Sequence, residues 1–426
     1  KAPEGMTMSE YAFRRSTTAN PFPSQMGRVC PAPCQSGCNR NEVDDYVGIN
    51  AVEQFIGDTA FKEGFKFDPA PKLKKQRVAI IGGGPAGMSA AYQLRKKGYA
   101  STVFEEREQL GGMMRYGIPN YRTPRDILDA EIQRILDLGD IEVVLNTRVG
   151  KDVPLEDVEK SHDAVLWTIG CWNGRSLPVE GSDAENCLNG VEFLEAFSQG
   201  RLKVGAQKVV CVGGGDTSID VVSVARRLGH ISNMNPQEKP EAVVHGYVAQ
   251  DVSEQAIKEG AEVTLTSLFK REEMTAAEQE VNDAMHEGVS ILNGVIPVKV
   301  EQDENGRATA LVVADCTFEE NIPKPIEGTE KVIEADLIIS AIGQSPDIEG
   351  YEEMGNEKGF FDVDDFYRHK TKEGHFVAGD IIRPHLLTTA IGQGSVVSDT
   401  IESYFENDDF KRRPKVDVHH FKLLDK

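Results

Sequence analysis

Two glycine fingerprints of one kind constrain this chain more than any other feature. The first runs from Arg77 through an apolar stretch to Gly82, Gly84, Pro85, Ala86 and Gly87, and continues into the helix-forming residues 88–97. The second runs from Lys208 to Gly213, Gly215, Asp216, Thr217 and Ser218, with the serine in the third small position. In each, the first glycine permits a tight strand-to-helix turn, the second lets a pyrophosphate approach the backbone, and the third small residue lets helix and strand pack closely. The phosphates then sit at the positive end of the helix. One such turn is weak evidence, because glycine turns between strand and helix also occur with no ligand, whereas the pair predicts two dinucleotide sites on one polypeptide. Glu105 strengthens the first. It follows the expected second strand, 101–104, about 20 residues past the glycines, where a carboxylate binds ribose hydroxyls. Its alternative reading is a solvated member of the charged run 105–108.

A chain of 426 residues makes two or three domains, each with its own core. Hydrophobic residues at 39% and charged residues at 27% suit a globular protein. No apolar run of about 18 residues occurs and no signal peptide opens the sequence, so a soluble, cytoplasmic protein with no membrane insertion is expected. The net charge of −22 repels nucleic acid and anionic lipid, and neither is an expected partner.

Of seven cysteines, Cys171, Cys187, Cys211 and Cys316 stand alone and read as small core or surface residues. Cys30, Cys34 and Cys38 instead fall within nine residues, separated by prolines and a glycine that force a loop suited to a soft metal centre. Without a secretory signal a disulfide framework is not expected, which leaves iron–sulfur ligation or zinc. Three thiols cannot close a four-ligand site. The missing ligands would lie upstream of Lys1, or Glu53 would serve, its alternative being the solvent face of an amphipathic helix.

From Gly27 to about Phe405 the chain resembles the small subunit of glutamate synthase and its relatives, including the nucleotide-oxidising part of dihydropyrimidine dehydrogenase. The cysteine loop from Gly27 to Cys34, both glycine turns, the stretch 110–119 and the late Gly379-Asp380 carry the resemblance. It implies an α/β protein with two Rossmann-like nucleotide-binding domains of the glutathione reductase type, each with a parallel sheet, preceded by a helical iron–sulfur domain. On that basis residues 1–72 are the [4Fe-4S] domain, 73–200 and 335–408 the two parts of an FAD domain, 201–334 the NAD(P) domain with an insertion at 230–260, and 409–426 a linker.

The resemblance also implies site residues. The first glycine turn and Glu105 would bind FAD, with Gly379 and Asp380 at its ribityl and phosphate groups, and Gly112, Arg115, Ile118, Val149, Gly170 and Gly343 complete the cofactor-binding set. The second turn would bind the nicotinamide nucleotide. Cys30, Cys34 and Cys38 would ligate one or two [4Fe-4S] clusters together with cysteines from further upstream, Glu53 completing one of them.

The residues themselves add three readings. The stretch 387–396 reads as a helix capped by Thr388 or Thr389, its N-terminus at the flavin. No acid ends the second strand of the inserted domain, whereas Lys270 and Arg271 would pair with a 2′-phosphate, favouring NADP(H) over NAD(H); the pair would equally suit a solvated loop. No Cys-x-x-Cys follows either glycine turn, which argues against a disulfide reductase. Hydride and single-electron chemistry belong to the cofactors, so no side-chain catalyst is expected.

The expected partner is a redox protein that donates or accepts electrons. The insertion and the basic residues 411–415 resemble most, within the family, the iron–sulfur flavoproteins of the dissimilatory sulfite reductase system, which would make that reductase the partner and draw the preference back toward NAD(H). A homodimer is allowed.

Overall fold

The computed structural model describes residues 2–44, 47–202, 206–227 and 261–413. The insertion expected at 230–260 and the end of the tail beyond 413 lie outside the described residues. The chain divides into two compact units, Lys1–Gly112 with Asp126–Cys171 and Ile348–Lys426, and Met113–Arg125 with Trp172–Asp347.

In the first unit, five strands form a wholly parallel sheet in the order His375–Val377, Ala164–Trp167, Arg77–Ile81, Ala100–Phe104, Ile141–Val144. The first four are buried nearly throughout, as near-continuous apolar runs require when helices cover both faces of a parallel sheet. Trp167, fully buried, packs against Tyr351 and Phe361. The helices Pro85–Lys96 and Leu387–Glu406 lie together, and the Ser89 hydroxyl donates to the Ile391 carbonyl at 2.8 Å.

The N-terminal segment is helical, with Met8–Ser16, Pro23–Val29, Pro33–Ser36 and Ile49–Glu63. It is fastened to the helix Arg125–Leu136 by the buried Glu131, whose two oxygens accept the Ser24 and Gln25 amides at 2.8 and 3.2 Å. A carboxylate at the start of Pro23–Val29 satisfies amides that have no partner within the helix. Burial nevertheless pushes the Glu131 carboxyl up to about 8.

The second unit carries another wholly parallel sheet, ordered Cys187–Asn189, Leu337–Ser340, Lys208–Val212, Glu262–Ser267, Ser290–Asn293. Beside it stands an antiparallel sheet of Val295–Gln302, Ala308–Glu319, Ile322–Pro325 and Lys331–Glu334.

The observed boundaries differ from the expected ones. Leu337–Ser340, assigned from sequence to the second part of the FAD domain, pairs with Lys208–Val212 in the other sheet, and Cys187–Asn189 joins it there. The second unit therefore begins at Trp172, where the sequence reading set a boundary at 201, and ends at Asp347 rather than 334, and it also takes Met113–Arg125. The runs at 164–170 and 335–343 have the same apolar strand and glycine exit, so periodicity alone does not say which sheet each joins.

Candidate functional site

The first glycine turn lies in the first unit, at the carboxyl end of Arg77–Ile81, where doubly wound sheets place their ligands. Gly82 holds φ +106°, and a Cβ there would stand 2.5 Å from the Thr168 carbonyl oxygen. A Cβ on Gly87 would stand 2.1 Å from the Gly82 oxygen, so the helix sits hard against the turn. Gly84 differs. Its Cβ would meet nothing closer than Gly112 Cα at 3.7 Å, and the helix beginning at Pro85, with Ala86 buried behind it, has no side-chain cap. An uncapped N-terminus with open backbone beside it fits a pyrophosphate.

Glu105 is buried, not solvated. Its Oε2 accepts the Gly83 amide at 2.7 Å and its Oε1 the Arg107 amide at 3.0 Å, while burial raises its pKa. Each oxygen retains a second lone pair, so the carboxylate both fixes the turn and has capacity for ribose hydroxyls. Gly379 (φ +84°) donates its amide to Gln393 Oε1 at 2.6 Å. Asp380 follows, its carboxyl pushed up to about 6 by burial and accepting the His385 amide. Gly112 and Gly170 take positive φ in this unit. Val149 is packed in the core with Ala79, Ile81 and Phe104.

Leu387–Glu406 forms as expected, but neither threonine caps it. Its N-cap is Leu386 without a side-chain bond, and the Thr389 hydroxyl pairs with His385 Nδ1 at 2.8 Å. The helix start thereby keeps its amides available.

The thiol loop occupies the same unit. Cys34 is exposed, and Cys30 and Cys38 are partly buried. Ala32 donates its amide to Cys30 Sγ at 3.4 Å. Burial raises the Cys30 pKa, with Glu53 and Cys34 adding to it through their charge. Glu53 accepts from Asn20 Nδ2 at 2.7 Å, and burial raises its pKa as well. Among the described residues no three His, Cys, Asp or Glu side chains converge to hold a single metal ion. The sulfurs ligating a cubane stand farther apart than the ligands of one ion, so thiols spaced around a proline-rich loop fit a cluster better than zinc.

In the second unit Gly213 makes the tight approach, a Cβ there lying 2.5 Å from the Ala341 carbonyl oxygen. Gly215 is the N-cap of the helix Asp216–Arg226, which also lacks a side-chain cap. Ser218 donates to the Gly215 carbonyl at 2.6 Å, and Asp216 accepts from Ala277, its pKa raised by burial. Thr217 lies in the first turn of that helix, and Gly343 takes φ +107° with open space around it. Lys270 is exposed beyond the strand Glu262–Ser267. Arg271, by contrast, is directed to Asn282 and Met285. Arg115 and Ile118 belong to Met113–Arg125, where Arg125 grips both backbone carbonyls.

Sequence reasoning missed one cluster. Arg122 pairs with Asp220 and Glu280, and burial pushes those two carboxyls up to about 6 and about 7. Three isolated residues far apart in sequence offered no spacing by which to find them.

Two uncapped glycine turns on parallel sheets, with a thiol loop in the same unit as the first, define a two-dinucleotide oxidoreductase fold with an iron–sulfur segment. Residues 76–394 match the family described as "Pyridine nucleotide-disulphide oxidoreductase", and 6–65 match "Dihydroprymidine dehydrogenase domain II, 4Fe-4S cluster". The chain belongs to the pyridine nucleotide-disulphide oxidoreductase family. It is 36% identical over 358 residues to NADPH-Fe(3+) oxidoreductase subunit beta of Geobacter sulfurreducens, covering 80% of this chain and 48% of that one. It is 32% identical to NADP(+)-dependent formate dehydrogenase subunit beta of Moorella thermoacetica, covering 94% and 57%. The chain thus spans about half the length of these two relatives. The glutamate synthase [NADPH] small chain of Mycobacterium tuberculosis is 30% identical, with 92% and 80% covered. Among solved structures, Mycobacterium tuberculosis FprA in complex with NADPH shares the fold, with TM-score 0.62 at 14% identity, covering 83% of this chain and 89% of that one. The chain thus combines a pyridine nucleotide-disulphide oxidoreductase domain, of the kind that uses FAD and NAD(P)H, with a 4Fe-4S domain. Among the described residues no helix is long and apolar enough to cross a membrane.

Proposed function

We propose that this chain is the nucleotide-oxidising part of a larger redox assembly, relaying electrons between NADP(H), FAD and [4Fe-4S] clusters to or from a partner redox protein. The observation that carries this reading is the paired, uncapped helix starts at Pro85 and Asp216, one in each unit, with the thiol loop in the first. FAD, when bound, supplies hydride acceptance and single-electron release. The protein's own residues bind and orient. Gly84 and the amides after it receive one pyrophosphate, Glu105 and Asp380 meet the ribose and ribityl hydroxyls, and Gly215 with its helix receives the second nucleotide. Gly170, with Val149 in the core behind it, serves the site of the first unit, and Arg115, Ile118 and Gly343 serve that of the second. Cys30, Cys34, Cys38 and Glu53 hold iron.

Support for NADP(H) comes from Lys270, exposed where a 2′-phosphate would lie, and from relatives named for NADPH. Arg271 is engaged elsewhere, so Lys270 alone takes the phosphate role. For the partner, names of relatives point to iron(III), formate or glutamate chemistry in their own assemblies. Sulfite reductase enters through the sequence of 230–260 and the basic tail. A second reading, a glutamate synthase small chain, is favoured by coverage of 80% of such a chain. A homodimer is tested by light scattering on the same sample.

The test is anaerobic stopped-flow reduction by NADPH and by NADH, followed at the flavin band and the broader cluster absorbance. Fast flavin bleaching by NADPH followed by loss of cluster colour is expected. A flavin inert to both nucleotides would sink the proposal.

A further inference from the structure

Two phenyl rings lie open at one rim of the second unit. Phe269 is 39% exposed and Phe318 45%, and they stack on each other with ring centroids 5.8 Å apart and planes 14° from parallel. They come from different sheets. Phe269 follows the strand Glu262–Ser267 of the parallel sheet, whereas Phe318 lies in Ala308–Glu319 of the antiparallel one.

The backbone fixes both. The Phe269 amide donates to Ser267 Oγ at 3.2 Å, and its carbonyl accepts the Gly294 amide at 3.2 Å and Asn293 Nδ2 at 3.1 Å. The Gly294 carbonyl accepts the Cys316 amide at 2.8 Å, and Phe318 stands two residues further, on the same face of its strand as Cys316. Ala308–Glu319 pairs with Val295–Gln302 only as far as Asp315. Its last residues, paired with Ile322–Pro325, therefore run past Gly294 and carry Phe318, in register with Pro323, to the rim.

That rim is the carboxyl end of the parallel sheet, where a doubly wound fold takes its ligand. Glu262–Ser267 is the strand next to Lys208–Val212, and Ser290–Asn293 the one after it. The segment that begins with Phe269 and Lys270 also reaches the glycine turn, because the Thr275 and Ala276 amides both donate to the Gly214 carbonyl at 3.1 Å. In such a fold the residues after the second strand meet the ribose of the adenosine half. The base on that ribose extends over the surface beyond, and the surface there is the open face of two phenyl rings. Aromatic faces hold bases by stacking.

We propose that Phe269 and Phe318 form the platform on which the adenine ring of the nicotinamide nucleotide stacks. The pair holds the adenosine half whatever its 2′ substituent, and Lys270 beside it serves the 2′ position separately. The proposal rests on the nucleotide site at residues 213–218 put forward above.

The experiment is anaerobic stopped-flow reduction of the FAD-loaded full chain over a range of NADPH and NADH concentrations, with adenosine diphosphate as competing ligand. The native form is compared with Phe318→Ala, Phe318→Leu and Phe318→Tyr. Phe318→Ala is expected to raise the half-saturating concentration of both nucleotides and the inhibition constant of adenosine diphosphate by one common factor of about tenfold, since all three carry adenine. The limiting rate of flavin reduction is expected to hold. Phe318→Leu keeps apolar bulk beside Pro323 without a ring, so it carries the same expectation should the alanine variant fail to fold. Phe318→Tyr keeps the ring and is expected to behave as the native protein. Unchanged saturation in Phe318→Ala and Phe318→Leu overturns the proposal, as does a rise confined to NADPH or a loss shared by Phe318→Tyr. A native flavin inert to both nucleotides would instead overturn the nucleotide site itself, so the native protein tells the two failures apart.

Discussion

Removing the cation at Arg122 has a cost that depends on pH, and its size follows from the carboxylates it serves. Asp220 is almost wholly enclosed and ionises at about 6 against an ordinary 3.8, burial outweighing the pull of Arg122. A raised carboxyl favours the folded state below its unfolded pKa, and that advantage is lost as pH rises through its folded pKa. With Arg122 present the loss ends near pH 6, because the ionised carboxylate is then paired. In Arg122→Met no cation remains, the carboxyl stays protonated, and the loss continues at about 1.4 kcal/mol per pH unit. The gap between native and variant from Asp220 alone is therefore near zero at pH 5 and grows with pH, on the order of 1 kcal/mol at pH 7 and on the order of 3 kcal/mol at pH 8. Glu280, also raised, adds in the same direction. A value of this size agrees with the 3–5 kcal/mol typical of removing one partner from a buried pair. The readout is hydrogen exchange of peptides from Asp216–Arg226, corrected for intrinsic rates, at pH 5, 7 and 8, since a chain of two units gives no single unfolding free energy. A gap that is flat across pH, or larger at pH 5, would refute the reasoning.

Other outcomes follow from the same contacts. Gly87→Ala, whose Cβ would stand 2.1 Å from the Gly82 oxygen, is expected to abolish FAD retention, read as the flavin-to-protein absorbance ratio. Lys270→Ala is expected to raise KM for NADPH roughly tenfold, about 1.4 kcal/mol, while leaving that for NADH unchanged; Arg271→Ala, acting through Asn282, should lower stability without that selectivity. His375, whose Nδ1 accepts from buried Trp167 at 2.9 Å, is held neutral with its pKa lowered to about 4, chiefly by burial. Its depressed value gives stability that is present above pH 6.5 and lost as pH falls toward 4, up to roughly 3 kcal/mol, and Trp167 fluorescence should report it. A His375→Gln variant should flatten that dependence.

Much of this architecture was legible in the sequence for a local reason. A glycine turn is written in consecutive residues, so both nucleotide turns, their strands and the helix after each lie where the spacing puts them, and Glu105 stands at the foot of the expected second strand. What failed was non-local. The choice of sheet for Leu337–Ser340 depends on pairing partners more than a hundred residues away, and an apolar run carries no address. The antiparallel sheet went unread, although Val295–Gln302 and Ala308–Glu319 are rich in β-branched residues. Arg122 meets Asp220 and Glu280 across 98 and 158 positions, so no spacing in the sequence announced them.

The membership of Met113–Arg125 in the second unit bears on how this protein is made. During synthesis Arg122 is produced 98 residues before Asp220 and 158 before Glu280, so the growing chain carries the cation long before its counter-charges exist. Cutting the gene at the borders of Trp172–Asp347 produces the reverse defect, two enclosed carboxylates with the guanidinium left on the other fragment. A nucleotide-binding piece intended to fold by itself must therefore carry residues 113–125 grafted onto it, or have Asp220 and Glu280 replaced by neutral residues of similar size.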